Sequence, residues 1–93
     1  MIKKAIERPK KVEYVEFKGQ ENFKEVSDFL GNSIIHELKI SRFGVETINI
    51  SGRGTFKVGT IFYRYLDPEI DDYKYDVMRS DKFFIIYEEE RHG

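Results

Sequence analysis

The chain has 93 residues, a formal net charge of −1 and no cysteine. This length fits a single domain, and the lack of cysteine excludes disulfides, thiolate nucleophiles and cysteine-based zinc or iron–sulfur sites. No run approaches the roughly 20 apolar residues of a membrane span, and the near-zero charge gives the whole molecule no electrostatic preference for nucleic acid or membrane. We therefore expect a cytoplasmic globular domain that holds no cofactor.

The charges are distributed unevenly along the chain. Residues 1–11 carry five basic side chains against one acidic one, whereas residues 67–90 carry nine acidic side chains against three basic ones. We interpret residues 1–10 as a basic lead-in and residues 11–93 as one domain. The simpler interpretation of the acidic stretch is a set of solvated charges, and the alternative is an acidic recognition surface.

The N-terminal half of the domain predicts a strand followed by a helix. Residues 11–17 alternate in the manner of a strand. Asn22 predicts the N-cap of a helix over residues 22–30, with Glu25 completing a capping box, and Gly31 predicts its end. The helix carries one apolar stripe, which must cover the face of a sheet: Phe23, Val26, Phe29 and Leu30.

The middle of the chain predicts the β-hairpin around which the rest is organised. Residues 45–50 alternate as a half-buried strand, residues 51–54 form a glycine-rich turn, and residues 55–66 return with a bulge or a bend at Gly59. Beyond Gly59 both faces of the strand are apolar, which indicates an interior position in the sheet. A further strand is expected over residues 34–40.

The C-terminal third predicts an acidic loop, a last strand and a second helix. The loop covers residues 67–72, the strand residues 73–78, and the helix residues 81–89, capped by Ser80. Four side chains should form the packing side of this helix: Phe83, Phe84, Ile86 and Tyr87. The predicted fold class is α+β, with a small and mostly antiparallel sheet of five to six strands, a helix in the N-terminal half and a C-terminal helix.

The two ends of the chain carry short sequence motifs. Residues 10–19 read Lys-Lys-Val-Glu-Tyr-Val-Glu-Phe-Lys-Gly and lead into a predicted helix that ends in Phe-Leu-Gly. The other end carries Asp81, Phe83, Tyr87, Glu88 and Glu89. Together these motifs resemble the opening strand and helix, and the closing aspartate, phenylalanine and tyrosine–glutamate, of a family of short proteins of unknown function from phages and prophages of Gram-positive hosts.

The chain departs from this family at three places. Residues 58–60 read Val-Gly-Thr where proline-glycine-aspartate is typical of the family, and Met78 and Ser80 stand where the family has a cysteine and a second proline. The resemblance implies a phage origin. It transfers no catalytic residue.

The residue types that most often carry chemistry are sparse. His36 and His92 are the only histidines, and no serine lies in a glycine-flanked elbow, which argues against a metal site and against Ser-His-Asp catalysis. The turn Gly52-Arg53-Gly54 lacks the ending of a phosphate loop. Four aspartates lack the spacing of a calcium loop and predict an acidic surface loop: Asp67, Asp71, Asp72 and Asp76. We therefore predict no enzyme and no metal.

Four tyrosines on two strands predicted to be adjacent form the strongest candidate site. Basic side chains are interleaved with them, and acidic side chains follow in the loop. Tyrosine and arginine anchor many protein contacts, and nearby charges set association rate and specificity. We predict a patch that binds a protein partner, as an inhibitor of host machinery or of host defence would: Tyr63, Tyr65, Tyr73, Tyr75 and Arg79, rimmed by Asp71, Asp72 and Asp76.

A nucleic-acid-binding surface is the alternative hypothesis. Aromatic side chains on a sheet can stack exposed bases, and a basic arm can follow the phosphates. The acid excess of the tyrosine region opposes this hypothesis, because phosphate binding requires a positive field. The arm would use four lysines: Lys3, Lys4, Lys10 and Lys11. Self-association through an edge strand also stays open, because a small sheet has edges to protect.

Overall fold

The computed structural model describes residues 2–5 and 11–87 and confirms an α+β fold. Its elements follow the order β1 (Glu13–Glu16), α1 (Phe23–Leu30), β2 (His36–Ile40), β3 (Glu46–Ile50), β4 (Gly54–Lys57), β5 (Thr60–Asp67), β6 (Asp72–Arg79) and α2 (Ser80–Ile86), with a 3₁₀ turn at Gly19–Asn22 before α1. Neither of the described helices has the length and apolar character needed to cross a bilayer.

The strands form two sheets rather than the single sheet of five to six strands that the sequence predicted. The first sheet has the order β1-β5-β6 and the second sheet the order β2-β3-β4. Every neighbouring pair is antiparallel. The prediction of a mostly antiparallel arrangement is confirmed, and the prediction of one sheet is wrong.

Gly59 is the point at which the chain crosses from the second sheet to the first. Its φ of 96° lies in a region that favours glycine. Its amide donates to the carbonyl of Phe17 at 2.8 Å, and its carbonyl accepts from the amide of Ser80 at 3.1 Å. The expected bend at Gly59 is therefore present, but it divides the predicted strand 55–66 into two strands that pair with different partners.

The main core lies between the two sheets and α1. The predicted stripe of α1 is confirmed, since Val26 and Leu30 are buried and Phe23 and Phe29 pack against the same core. The second sheet turns one face to this core and leaves the other polar, which follows the predicted alternation of β3. The buried members are Val15, Phe17, Val26, Leu30, Ile48, Ile50 and Phe62.

A second, smaller core lies on the opposite face of the first sheet, where α2 packs. Phe83 is the buried residue of α2 and stacks on the ring of Tyr87 at 4.8 Å. It joins Ile61 and Tyr63 of β5. Strand β5 is therefore central in its sheet and covered on both faces, as its apolar faces predicted.

The two helix starts differ from the predicted caps. Asn22 accepts from the amide of Lys18 at 2.8 Å and donates to the carbonyl of Glu16 at 2.6 Å, so its side chain ties β1 to the turn and makes no cap bond to α1. Ser80 is the first residue of α2 and not its cap. The Asn22 side chain is occupied by the Lys18 amide and the Glu16 carbonyl and makes no hydrogen bond to the start of α1. The predicted capping box with Glu25 is therefore wrong.

The packing side of α2 is narrower than predicted. Phe83 is buried and Tyr87 is half-buried, whereas Phe84 and Ile86 are exposed. Tyr14 of β1 lies 5.7 Å from the ring of Phe84, so Phe84 retains a contact at the edge of the smaller core. Ile86 was predicted to pack and is exposed among the described residues. The predicted positions 88 and 89 of this helix lie outside the described residues.

Candidate protein-interaction surface

The predicted tyrosine patch is divided between the two faces of the first sheet. Residues directly opposite each other in an antiparallel pair share a face. Tyr63 pairs with Asp76 and Tyr65 with Lys74, while Tyr73 pairs with Leu66 and Tyr75 with Arg64. The two tyrosines of β5 therefore lie on the face that α2 covers, and the two tyrosines of β6 lie on the other face.

The remaining members of the predicted patch are also separated. Asp71 lies in the turn between β5 and β6 with a φ of 51°. Arg79 lies at the far end of β6, where it pairs with Asp81 at 3.3 Å. The length of β6 separates Arg79 from Tyr73, so the structure does not bring these residues into one surface.

Tyr63 is a member of the smaller core and only 6% exposed. Its ring lies 5.5 Å from Phe83 and 5.8 Å from Tyr87, and its hydroxyl donates to Asp76 Oδ2 at 3.4 Å. Burial, and then the negative charge of Asp76, raise the pKa of Tyr63 to about 12. This tyrosine stabilises the fold in its protonated form, and it is not available as a contact residue.

We expect the stability of the protein to fall between about pH 10 and pH 12 because of Tyr63. Below pH 10 the phenol is protonated in both states, so its contribution is fully present. Between the two pKa values the unfolded chain loses the proton and the folded chain keeps it, which favours unfolding by about 2–3 kcal/mol at the upper end. Urea unfolding at several pH values measures this loss. The variant Tyr63→Phe should show a smaller alkaline loss; an equal loss in both proteins would contradict the assignment.

Arg64 lies at the centre of an aromatic cluster on the face of the first sheet that α1 packs against, where its side chain stays partly exposed. Its guanidinium carbon lies 4.5 Å from the centre of the Phe29 ring and 5.2 Å from that of Tyr73. The guanidinium donates to Glu13 Oε1 at 3.1 Å and to the carbonyl of Phe29 at 3.3 Å, and it lies 3.5 Å from the hydroxyl of Tyr75. We call Phe29, Arg64, Tyr73 and Tyr75 the Tyr–Arg surface.

A cleft continues the Tyr–Arg surface toward the second sheet. Arg53 bridges the two sheets here, since it donates to the carbonyl of Tyr75 at 3.1 Å and lies 3.7 Å from Asp76 Oδ1. Ile35 is largely exposed at its edge. The cleft has a volume of about 420 Å³ and is lined by Ser33, Ile34, Ile35, Ile50, Ser51, Arg53 and Tyr75. Sequence reasoning missed it because the turn carrying Arg53 and the strand carrying Tyr75 meet only in the fold.

Asp72 and Asp76 bind backbone amides along the outer edge of β6. Asp72 Oδ1 accepts from the amide of Tyr73 at 2.7 Å, and Asp76 Oδ1 accepts from the amide of Val77 at 2.8 Å. Between these two amides, the Arg53 guanidinium donates a hydrogen bond to the carbonyl of Tyr75. Since β6 is an edge strand, these side chains occupy backbone groups that another strand would otherwise pair with. Two acids predicted as a recognition rim therefore have a structural role.

The lysines of the alternative hypothesis are spread over separate places. Lys3 and Lys4 are exposed, and Lys10 lies outside the described residues. Lys11 lines a cleft of about 500 Å³ together with Tyr65 and Lys74. Lys74 binds Asp67 at 2.7 Å, and this hydrogen bond and the charge of Asp67 raise the pKa of Lys74.

Ser27 and His36 are brought together although the sequence predicted no catalytic serine–histidine pair. Ser27 Oγ lies 2.7 Å from His36 Nε2, and His36 Nδ1 lies 2.7 Å from the carbonyl of Ile34. Because a carbonyl only accepts, Nδ1 carries the hydrogen in the contact with Ile34. Both ring nitrogens therefore have partners within residues 11–87, and the contact with Ser27 links α1 to β2. We assign the pair a structural role.

In the part of the chain that the structure describes, no group of three or more histidine, aspartate or glutamate side chains is placed to hold a metal ion. Comparisons with models of protein families, with curated proteins and with solved structures find no match for the chain.

Proposed function

We propose that the chain is a small non-enzymatic accessory protein that binds a protein partner through the Tyr–Arg surface. The observation that carries this proposal is the position of Arg64, which is held between Phe29 and Tyr73 and fixed by Glu13. Arginine and tyrosine are enriched among the residues that contribute most to protein binding. Holding them in place before binding lowers the entropy lost on association.

The charges of this surface favour a protein partner over nucleic acid. Arg64 is paired with Glu13, and Arg53 lies beside Asp76. Cations that are already neutralised add little to the positive field that phosphate binding requires. The exposed apolar side chain of Ile35 beside the cleft adds the kind of area that protein interfaces bury.

The resemblance of the two chain ends to phage and prophage proteins supports a role in a phage-infected cell. We propose that the protein acts in the cytoplasm as an inhibitor of host machinery or of host defence, by occupying a surface of its target. A protein that acts in this way requires an exposed contact surface and no catalytic group. The Tyr–Arg surface and its cleft meet that requirement.

We expect Tyr73→Ala and Arg64→Lys each to weaken partner binding by at least about tenfold. Alanine removes the ring beside Arg64, and lysine keeps the charge but loses the planar group that stacks on two rings. The measurement is recovery of the partner by immobilised protein from a lysate of a Gram-positive host, followed by titration with the purified partner. Phe84→Ala is the matched control, because Phe84 and Tyr73 are both 46% exposed aromatic residues on opposite faces of the sheet.

Nuclease treatment and raised salt separate the two functional hypotheses. A partner that survives both treatments and is lost with Tyr73→Ala supports the protein-binding proposal. A signal lost to nuclease, or reduced by Lys3→Glu and Lys4→Glu, would instead favour nucleic acid. Equal binding by Tyr73→Ala and Phe84→Ala would show that the Tyr–Arg surface is not the contact.

A further inference from the structure

The turn between β2 and β3 presents an exposed aromatic side chain that the fold itself does not use. Phe43 is 81% exposed, and Ile40 and Val45 beside it are also exposed. Arg42 lies over the Phe43 ring, with its guanidinium carbon 5.1 Å from the ring centre. We call residues 39–45 the basic tip, because this stretch contains two basic side chains and no acidic one.

The backbone of the basic tip is held in one conformation by Ser41. The Ser41 hydroxyl oxygen accepts from the amides of Phe43 at 3.2 Å and Val45 at 3.1 Å. The Ser41 amide donates to the carbonyl of Val45 at 2.9 Å, and the Ser41 carbonyl accepts from Gly44 at 2.9 Å. A turn fixed in this way loses little conformational freedom when its side chains become buried.

The turn between β5 and β6 carries the opposite charge to the basic tip. We call residues 67–72 the acidic turn, because this stretch contains four acidic side chains and no basic one. Next to it lies the cleft of about 500 Å³, which is lined by Lys11, Tyr65, Leu66, Asp67, Pro68, Glu69 and Lys74. Leu66 is exposed, and no ion pair of Glu69 is seen within residues 2–5 and 11–87. The cleft thus offers apolar surface with the Glu69 carboxylate at its rim; of the two lysines that also line it, Lys74 is paired with Asp67.

The basic tip and the acidic turn cannot meet within one molecule. Thr47 pairs with Lys57, which places the basic tip near the crossing at Gly59. The acidic turn lies at the other end of β5, whose eight residues span about 25 Å. Two copies side by side in opposite directions would bring each basic tip to the acidic turn of the other copy, and a two-fold axis would close both contacts.

We propose that the protein forms a two-fold dimer in which Phe43 of each copy enters the cleft beside the acidic turn of the other. Burying Phe43 also carries the guanidinium of Arg42 to the interface, so the receiving surface requires a carboxylate, and Glu69 supplies it. A bilayer offers no such partner in its apolar interior, where an arginine is costly to place. The receiving cleft borders the Tyr–Arg surface, because Leu66 pairs with Tyr73, but Arg42, Phe43 and Glu69 are not part of that surface.

Sedimentation equilibrium of the purified full chain at low salt tests the dimer. We expect Phe43→Ala, Arg42→Glu and Glu69→Arg each to raise the dimer dissociation constant by at least about tenfold. An equimolar mixture of Arg42→Glu with Glu69→Arg should recover the dimer, because both contacts of the mixed dimer then join opposite charges. Lys57→Glu is the matched control: it makes the same charge change on the polar face of the second sheet, and it should leave the dimer intact.

Three results would overturn the proposal. The first is an unmodified chain that stays monomeric at every concentration measured. The second is a dimer that persists in the Arg42→Glu variant, or an equimolar mixture of Arg42→Glu and Glu69→Arg that stays monomeric. The third is flotation with vesicles of phosphatidylcholine and phosphatidylglycerol that requires Phe43, which would assign the tip to a bilayer surface. All of these variants leave Tyr73 and Arg64 unchanged, so partner binding by the Tyr–Arg surface is tested separately.

Discussion

Replacing Phe83 with alanine is expected to lower the free energy of unfolding by about 3–5 kcal/mol. Phe83 is the buried residue of α2, and its ring lies 5.0 Å from Tyr14 and 5.5 Å from Tyr63. A helix of seven residues does not form alone in water, so the loss of this ring should release α2 as well as create a cavity. Chemical denaturation followed by circular dichroism measures the free energy, and amide hydrogen exchange reports on α2.

Ile85→Ala is the control for the Phe83 prediction. Ile85 belongs to the same helix and is 84% exposed, so its truncation should change the free energy of unfolding by no more than about 0.5 kcal/mol. If the two variants lost equal stability, α2 would not be held by Phe83. Rapid exchange of the α2 amides in Phe83→Ala, with the amides of β3 still protected, would identify release of the helix as the cause.

The second large effect is expected at the edge of β6. In the double variant Asp72→Thr/Asp76→Thr, the amides of Tyr73 and Val77 lose their side-chain acceptors, and threonine favours an extended backbone. We expect this edge to pair with β6 of another copy and to produce species heavier than those of the parent chain. Sedimentation velocity over a range of concentrations measures this, with Phe43→Ala present in all proteins to remove the tip contact.

The control for the edge experiment removes the same charge elsewhere. Glu25→Thr/Glu37→Thr raises the net charge equally, and both glutamates are exposed and lie outside β6 and the acidic turn. A loss of solubility from reduced negative charge would affect the two double variants alike. Assembly that appears only in Asp72→Thr/Asp76→Thr supports a role of the two aspartates in closing the edge, and the absence of assembly at high concentration would disprove it.

The elements that rest on local patterns were predicted well. The stripe containing Val26 and Leu30 needs only the helical period, and the interior position of β5 follows from apolar side chains on both of its faces. The division into two sheets could not be predicted from local patterns. Gly59 indicates a bend, but no local pattern tells whether the strands before and after the bend share a partner.

The candidate site was predicted in composition and not in arrangement. Tyr73 and Tyr75 were grouped in one patch with Tyr63, but the face of a paired strand depends on register, and register depends on the length and geometry of the turn. The turn after Asp67 places Tyr73 opposite Leu66, so Tyr73 and Tyr63 lie on different faces of the sheet. Sequence reasoning noted Arg64 among the tyrosines, although its contact with Phe29 arises only when α1 packs on the sheet.

The crossing at Gly59 has a consequence for the order in which the protein folds. The second sheet is built from one continuous stretch, residues 36–57, whose strands are joined by short turns. The first sheet takes β1 from one end of the chain and β6 from the other, and Gly59 binds both Phe17 and Ser80. Contacts between distant segments form slowly. During synthesis the second sheet is therefore able to form early, whereas β1 has no strand to pair with until β5 has been synthesised.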